Sequence, residues 1–354
     1  MSKEFKSKID VQSESFLKNR AEMLKKIKEM RNLEKRSFNA SESKRKKFED
    51  RNQLTPRERL NALIDPDSEF IELYNMAGFL VEDNNPETSI PGASVIAGIG
   101  FIKGVRCMIM VDDSGINAGA ATSTTVDKCV GCLEISLEKK LPFVHLVESA
   151  GINLMNYKVE IWARAGGMFA GLAKLSAAGV PTITILHGLS TAGGAYNVGM
   201  SDYVIGVKKN GMAALAGPAL LKAATNEVAS NKELGGSEMH ATVSGLVEYL
   251  AEDDSDAIDI ARNVVNALDW NSGFSTIKDN DYIEPKYDID EIAGIVNLDY
   301  KKPYDAREII LRLVDDSSFI EFKPRYGITT LCFQADINGN SCGIIANNGP
   351  IDTD

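Results

Sequence analysis

The chain has 354 residues, 44% of them apolar and 25% charged, with five cysteines and a net charge of −11. These values suit a soluble globular protein of one large or two medium domains. They argue against a protein that spans the membrane by helices, since no apolar run nears the roughly 18 residues such a span needs, and no secretory or transit segment is evident.

Five cysteines without framework spacing fit a reducing compartment, the cytoplasm being the simplest. The charge is uneven. Residues 1–60 hold 18 Lys+Arg against 10 Asp+Glu, or +8, leaving 21 against 40, or −19, for the rest. Residues 1–54 read as a basic helical segment, with Leu17, Leu24, Ile27 and Met30 spaced near one helical face. Mixed charge favours an amphipathic helix docked on its own protein over a nucleic-acid arm, and the end near Lys46, Lys47 and Arg51 is placed to meet phosphates of a nucleotide-like ligand. Thr55 and Pro56 read as N-cap and first residue of the helix PRERLNALID. Strand-like runs follow: FIELY, SVIAGIGFI and CMIMVDD. From about Thr124, helical TVDKCVGCLEISLEKK and IWARAGGMFAGLAKLSAAG alternate with the buried-strand runs FVHLVES, TITILHG and YVIGVK. That alternation predicts an α/β domain with a largely parallel core. The acidic stretch 272–288 reads as a linker.

The chain also repeats itself. RERLNALIDPDSEFIEL (57–73) returns as REIILRLVDDSSFIEF (307–322), and GIGFIKGVRCMIM around Gly104 and Cys107 returns as ADINGNSCGII around Gly339 and Cys342. Two echoes in the same order mark a duplicated supersecondary unit. The expected organisation is a helical segment 1–54, a complete domain 55–271, a linker 272–288 and the start of a second copy at 289–354. A site needing both copies would then be incomplete in this chain, which alone would be inactive.

Three small-residue loops each follow a predicted strand: Ile116 to Thr122, Ser149-Ala150-Gly151, and Ser190 to Tyr196 with its Ala192-Gly193-Gly194 turn. Ligands of α/β sheets bind beyond the carboxyl ends of strands, where all three loops would lie. A helix beginning at Gly194 would aim unpaired N–H groups and a positive dipole end at one point, an oxyanion site; a plain strand-to-helix turn is the alternative. The inferred crevice is lined by backbone amides rather than charged side chains. Only three histidines are present, and His145, His187 and His240 read as core or capping residues. No G-x-S-x-G elbow or Walker A sequence occurs. Cys129 and Cys132 form a lone C-x-x-C, read as buried thiols, and no metal site is expected.

The string LAGPALLKAATNEVASNKELGGSEMH (215–240), with TAGGAY and LTPRERL upstream, resembles the carboxyltransferase (β) subunits of biotin-dependent acyl-CoA carboxylases, in the methylcrotonyl-, propionyl- and geranyl-CoA group. The resemblance covers nearly the whole chain from Thr55. It implies a crotonase-like β-β-α superhelix of the ClpP/crotonase superfamily, used twice, whose first copy holds acyl-CoA. It further implies carboxyl transfer from carboxybiotin, with biotin carried on a separate carrier or subunit, a biotin carboxylase partner, and a homo-oligomer, a dimer or trimer of dimers. By the same resemblance the Gly193 and Gly194 amides hold the thioester enolate. Gly119, Ala120 and Ala192 line the pantetheine and acyl end, Ala150 and Gly151 the adjoining wall, and Arg51 meets the CoA phosphates. The family commonly reads Asp-Ser-Gly-Gly-Ala where this chain has Glu148-Ser149-Ala150-Gly151-Ile152. A related decarboxylase or transcarboxylase subunit, a crotonase-like hydratase and a non-catalytic CoA-binding module stay open as alternatives.

Overall fold

The computed structural model describes residues 5–152, 159–270 and 281–349. They form two compact units, residues 5–32 with 281–349, and residues 33–270. The boundary falls within helix α1 (Glu14–Glu42). Leu17, Leu24, Ile27 and Met30, expected on a docked face, are 39–50% exposed. Each step of three residues from Leu24 to Met30 falls about 60° short of a full helical turn, so the stripe winds around the helix instead of stacking on one side. Phe16 is buried, its ring filling the space beside Gly294, while Asn19 donates to the carbonyls of Gly294 and Val296.

In the larger unit, α2 (Arg45–Glu49) leads to α3 (Pro56–Leu63), which starts as the sequence predicts. The Thr55 hydroxyl accepts from the Glu58 N–H and the Glu58 carboxylate accepts from the Thr55 N–H, a reciprocal cap. A seven-stranded sheet follows with β1 (Ile71–Glu72), β2 (Val95–Ile102), β3 (Val105–Asp112), β4 (Phe143–Val147), β5 (Thr182–Leu186), β7 (Tyr203–Val207) and β9 (Tyr249–Ala251) in that spatial order. The first three are antiparallel and the rest parallel. Of FIELY only Ile71 and Glu72 pair, whereas the other apolar runs become strands. The short strands β6 (Leu189–Thr191) and β8 (Met212–Ala214) form a separate parallel pair.

Helices α4 (Ser123–Lys139) and α5 (Val159–Ala177) cover one face of the sheet, and α10 (Asp254–Ala267) joins α3 on the other. Between β5 and α10 the chain also forms α6 (Gly193–Gly199), α7 (Pro218–Thr225), α8 (Asn231–Gly235) and α9 (Ser237–Met239). Every residue of β4 and β5 is buried, the pattern of parallel strands packed on both sides. Cys129 and Cys132 belong to the core under α4. Among the described residues no helix is long and apolar enough to cross a membrane.

The smaller unit contains α11 (Ile292–Ile295), α12 (Arg307–Ile310) and the antiparallel strands β10 (Phe319–Phe322), β11 (Thr330–Ile337) and β12 (Asn340–Asn347) around Ile310, Val314, Leu331 and Phe333. The sequence repeat is a repeat of contacts. Arg57 grips Glu72 bidentately at 2.7 and 2.9 Å in one unit, and Arg307 grips Glu321 at 2.9 and 2.6 Å in the other. Likewise the Asp65 carboxylate accepts from the Lys103 and Gly104 N–H groups at 2.8 and 2.7 Å, and Asp315 from Asn338 and Gly339 at 2.8 and 2.7 Å. Of the stretch read as a linker, residues 272–280 lie outside the described residues. The Ile283 carbonyl accepts from the Asp316 N–H, and the Lys286 N–H donates to the Ser317 hydroxyl, within the smaller unit.

Candidate functional site

The three small-residue loops meet at the carboxyl ends of β3, β4 and β5, stitched by their own backbone. Ala121 N–H donates to the Gly151 carbonyl (2.8 Å), Ala150 N–H to Ala118 (3.3 Å) and Thr191 N–H to Ser149 (3.2 Å). The Ser149 hydroxyl donates to the Gly119 carbonyl (2.9 Å) and accepts from the Gly151 N–H (3.2 Å). Gly119 and Ala120 donate to Ile116 and Asn117. The amides of Gly119, Ala120, Ala150 and Gly151 are therefore spent on holding the loops. Gly119, at φ +69°, is fixed as glycine because a Cβ there would lie 2.5 Å from the Glu148 carbonyl oxygen.

The third loop differs. Helix α6 starts at Gly193, one residue earlier than expected, because Ala192 makes the whole turn at φ 51° and ψ −118°. An alanine held there is strained by about 1–3 kcal/mol. This is a sharp strand–turn–helix elbow with a methyl group at its apex in place of a nucleophile. The Gly193 and Gly194 N–H groups occupy the first two helical positions, which have no intrahelical acceptor. Gly194 packs tightly, a Cβ there meeting Ser149 Cβ at 3.3 Å. At Gly193 the nearest atom to a Cβ is Phe169 Cζ at 3.9 Å. Neither protein packing nor a positive φ demands glycine at 193; the space beside it faces a cavity.

Two cavities flank the stitched loops. One, of about 140 Å³, is enclosed by Gly119, Ser149, Gly151, Gly193 and Gly194 together with Val126, Ile152, Trp162, Met168 and Phe169. The other, of about 410 Å³, takes Ala118, Glu148 and Ala150 from the same loops and adds Lys44, Lys47, Arg51, Lys208, Lys209 and Lys232. Alternate residues of one loop thus face an apolar chamber and a basic one. The expectation of a crevice lined by amides rather than charged side chains needs correcting: its second half is dominated by cations, which come from separate segments and were not legible as a cluster. Lys47 and Arg51 take part, whereas Lys46 pairs in solvent with Asp50. Ala120 and Ala192 line neither cavity.

Beneath the basic chamber lies a buried ionic cluster that sequence reading missed. Arg59 on α3, 1% exposed, donates to Glu148 (2.6 Å) and to Asp254 (2.8 Å). Asp254 also accepts from His187 Nδ1 (2.9 Å) and the Leu54 N–H (2.9 Å). Burial opposes ionisation of Asp254, but His187 and Arg59 outweigh it and hold its carboxyl at about 2. Burial and the Arg59 charge push the His187 imidazole below its usual range. A neutral His187 donating to ionised Asp254 satisfies both. The cluster clamps the carboxyl ends of β4 and β5, from which two of the three loops start. His145 pairs with Asp112 (3.0 Å), and His240 Nε2 lies 2.8 Å from the Ala213 carbonyl. Among the described residues no group of three His, Cys, Asp or Glu side chains is placed to hold a metal ion.

The chain is 44% identical over 301 residues to the probable biotin-dependent acyl-coenzyme A carboxylase beta2 subunit of Mycobacterium tuberculosis, covering 84% of this chain and 54% of that protein. It is 38% identical over 345 residues to the mitochondrial methylcrotonoyl-CoA carboxylase beta chain of Dictyostelium discoideum, covering 96% and 58%. The crystal structure of the P. aeruginosa geranyl-CoA carboxylase beta subunit superposes with a TM-score of 0.89 at 43% identity, covering 98% of this chain and 64% of that one. The chain thus spans between half and two thirds of the length of these relatives. Residues 47–351 match the model of the carboxyl transferase domain, and the chain belongs to that family.

Proposed function

We propose that residues 33–270 form the acyl-CoA half of a carboxyltransferase that places a carboxyl group on the α-carbon of an acyl-CoA thioester. The observation that carries this reading is the pair of chambers on the two sides of the same loops. Coenzyme A thioesters have a phosphorylated end and an acyl end, matching a chamber ringed by Lys44, Lys47, Arg51, Lys208, Lys209 and Lys232 and an apolar chamber beside Gly193. The N–H groups of Gly193 and Gly194 hold the enolate oxygen that forms when the α-proton leaves. Removing one such donor costs about 3–4 kcal/mol of transition-state stabilisation. Gly119 and Gly151 wall the acyl end, and Ala150 and Arg51 the phosphate side.

Biotin enters as a co-substrate borne by a separate carrier protein; when bound it supplies the carboxyl group and the base. The loops suit such chemistry, for they carry no free side-chain base: the elbow apex is Ala192, and the Ser149 hydroxyl is engaged on both sides. A crotonase-like superhelix fits the parallel β4, β5, β7 and β9 with the small β6–β8 pair beside them. Leu215, Leu220, Val228 and Val243, 62–82% exposed, offer apolar surface for self-association. Five unpaired cysteines suit the cytoplasm.

Calorimetry on this chain should show acetyl-, propionyl- or methylcrotonyl-CoA binding at least about tenfold more tightly than free biotin, a difference of ~1.4 kcal/mol. Saturable biotin binding with no binding of any thioester would reverse the assignment. Charge reversal tests the other chamber: Arg51→Glu should weaken binding of CoA itself about tenfold and flatten its salt dependence, since charge-assisted contacts are worth about 1.5–3 kcal/mol. Unchanged CoA affinity in that variant would remove Arg51 from the phosphate site.

A further inference from the structure

The apolar chamber has a polar floor that the carboxyl-transfer chemistry does not use. His145, 3% exposed on β4, and Asn197, 7% exposed on α6, both line it, together with Asp112. Asp112 accepts at both oxygens, from the Glu148 N–H at 3.1 Å and from His145 Nε2 at 3.0 Å. With the carboxylate as acceptor, Nε2 carries a proton, and in the neutral imidazole Nδ1 is then the acceptor. No described residue hydrogen-bonds to His145 Nδ1, and none bonds to the Asn197 side-chain amide, whose backbone carbonyl alone is engaged, by the hydroxyls of Thr184 and Ser201. Other polar groups around the chamber are occupied: Ser149 on Gly119 and Gly151, and Thr125 on the Ala93 carbonyl.

Two nearly buried polar side chains that each keep a hydrogen-bonding atom unengaged by any described residue, His145 Nδ1 and the Asn197 amide, in a chamber otherwise walled by Trp162, Met168 and Phe169, define a complementary ligand. Its end must donate to an imidazole nitrogen and accept from an amide N–H, as a hydroxyl does. A carboxylate would face the charge of Asp112 with no cation to balance it. We propose that, within the acyl-CoA reading above, this floor selects an acyl group bearing a hydroxyl toward its far end, with His145 and Asn197 as the specificity-determining residues. The chamber volume of about 140 Å³ limits the acyl portion: a cavity of about 150 Å³ holds benzene, so about six heavy atoms is the upper size.

The test is calorimetric, on the full chain, with CoA thioesters matched in length: butyryl against 4-hydroxybutyryl and propionyl against 3-hydroxypropionyl. The expected result is at least one hydroxyacyl thioester bound about tenfold more tightly than its alkyl counterpart, a preference that His145→Phe and Asn197→Leu each abolish. His145→Gln, which keeps an acceptor, should retain part of it. Alkyl thioesters bound as tightly as or more tightly than hydroxyacyl ones by the unaltered chain would overturn the inference while leaving the acyl-CoA reading intact. Failure of every thioester to bind overturns both. Water addition to an enoyl-CoA that disappears in His145→Phe would also overturn it, by making His145 a catalytic residue instead.

Discussion

A Gly193→Val variant should melt with the unaltered protein and, in a full-length counterpart of the proposed carboxyltransferase, lose carboxyl transfer by a factor of at least about 100, the loss that follows when an oxyanion donor is removed. The prediction rests on a contrast between adjacent glycines. A side chain at Gly194 would press on Ser149, so its loss of activity could reflect damage to the fold. At Gly193 a Cβ has no neighbour closer than 3.9 Å, and the backbone there is helical. Branched carbons at 193 therefore fill the chamber mouth and shield both N–H groups from the thioester oxygen. Gly193→Ala should show an intermediate loss. The measurements are a thermal melt, acyl-CoA affinity by calorimetry, and transfer by the carboxylase assembled with its biotin carrier. Normal transfer in a folded Gly193→Val protein would reduce the turn to a structural feature.

Removal of the Arg59 guanidinium should be the most destabilising single change in the larger unit. Arg59→Leu leaves the carboxylates of Glu148 and Asp254 buried without their shared cation, and breaking a buried pair from one side costs about 3–5 kcal/mol. Neutralising the stranded groups should recover much of that loss, so the triple variant Arg59→Leu, Glu148→Gln, Asp254→Asn is expected to be clearly more stable than the single one. Urea unfolding of the three proteins measures both effects. Equal stability of Arg59→Leu and the unaltered chain would show the cluster to be energetically idle.

What the amino-acid order made legible was local. The cap at Thr55 and Pro56, the buried runs that became β2 to β5, and the elbow after TITILHG are each written within a few adjacent residues, where periodicity and turn chemistry act. What stayed illegible was assembled over distance. The ion pairs of Arg59 join residues 89 and 195 positions apart, and the basic chamber draws on residues near 44–51, 208–209 and 232. Lys128 shows the same limit. Within the predicted helix TVDKCVGCLEISLEKK, it is 2% exposed and donates to the carbonyls of Gly92 and Val95, an environment no helical spacing announces. The winding stripe of α1 is the converse case, an apolar pattern left 39–50% exposed among the described residues.

The paired carboxylate clamps on the two hairpins bear on how the chain folds. Each hairpin is held in register by an aspartate that grips two successive turn amides, and a slip of one residue would break both bonds and turn the inward side chains outward. Asp65 reaches 38 and 39 residues ahead, whereas Asp315 reaches only 23 and 24. Closing the shorter span costs ~0.4 kcal/mol less chain entropy. By that measure the later copy of the duplicated unit is the easier one to nucleate, although it is synthesised after the first.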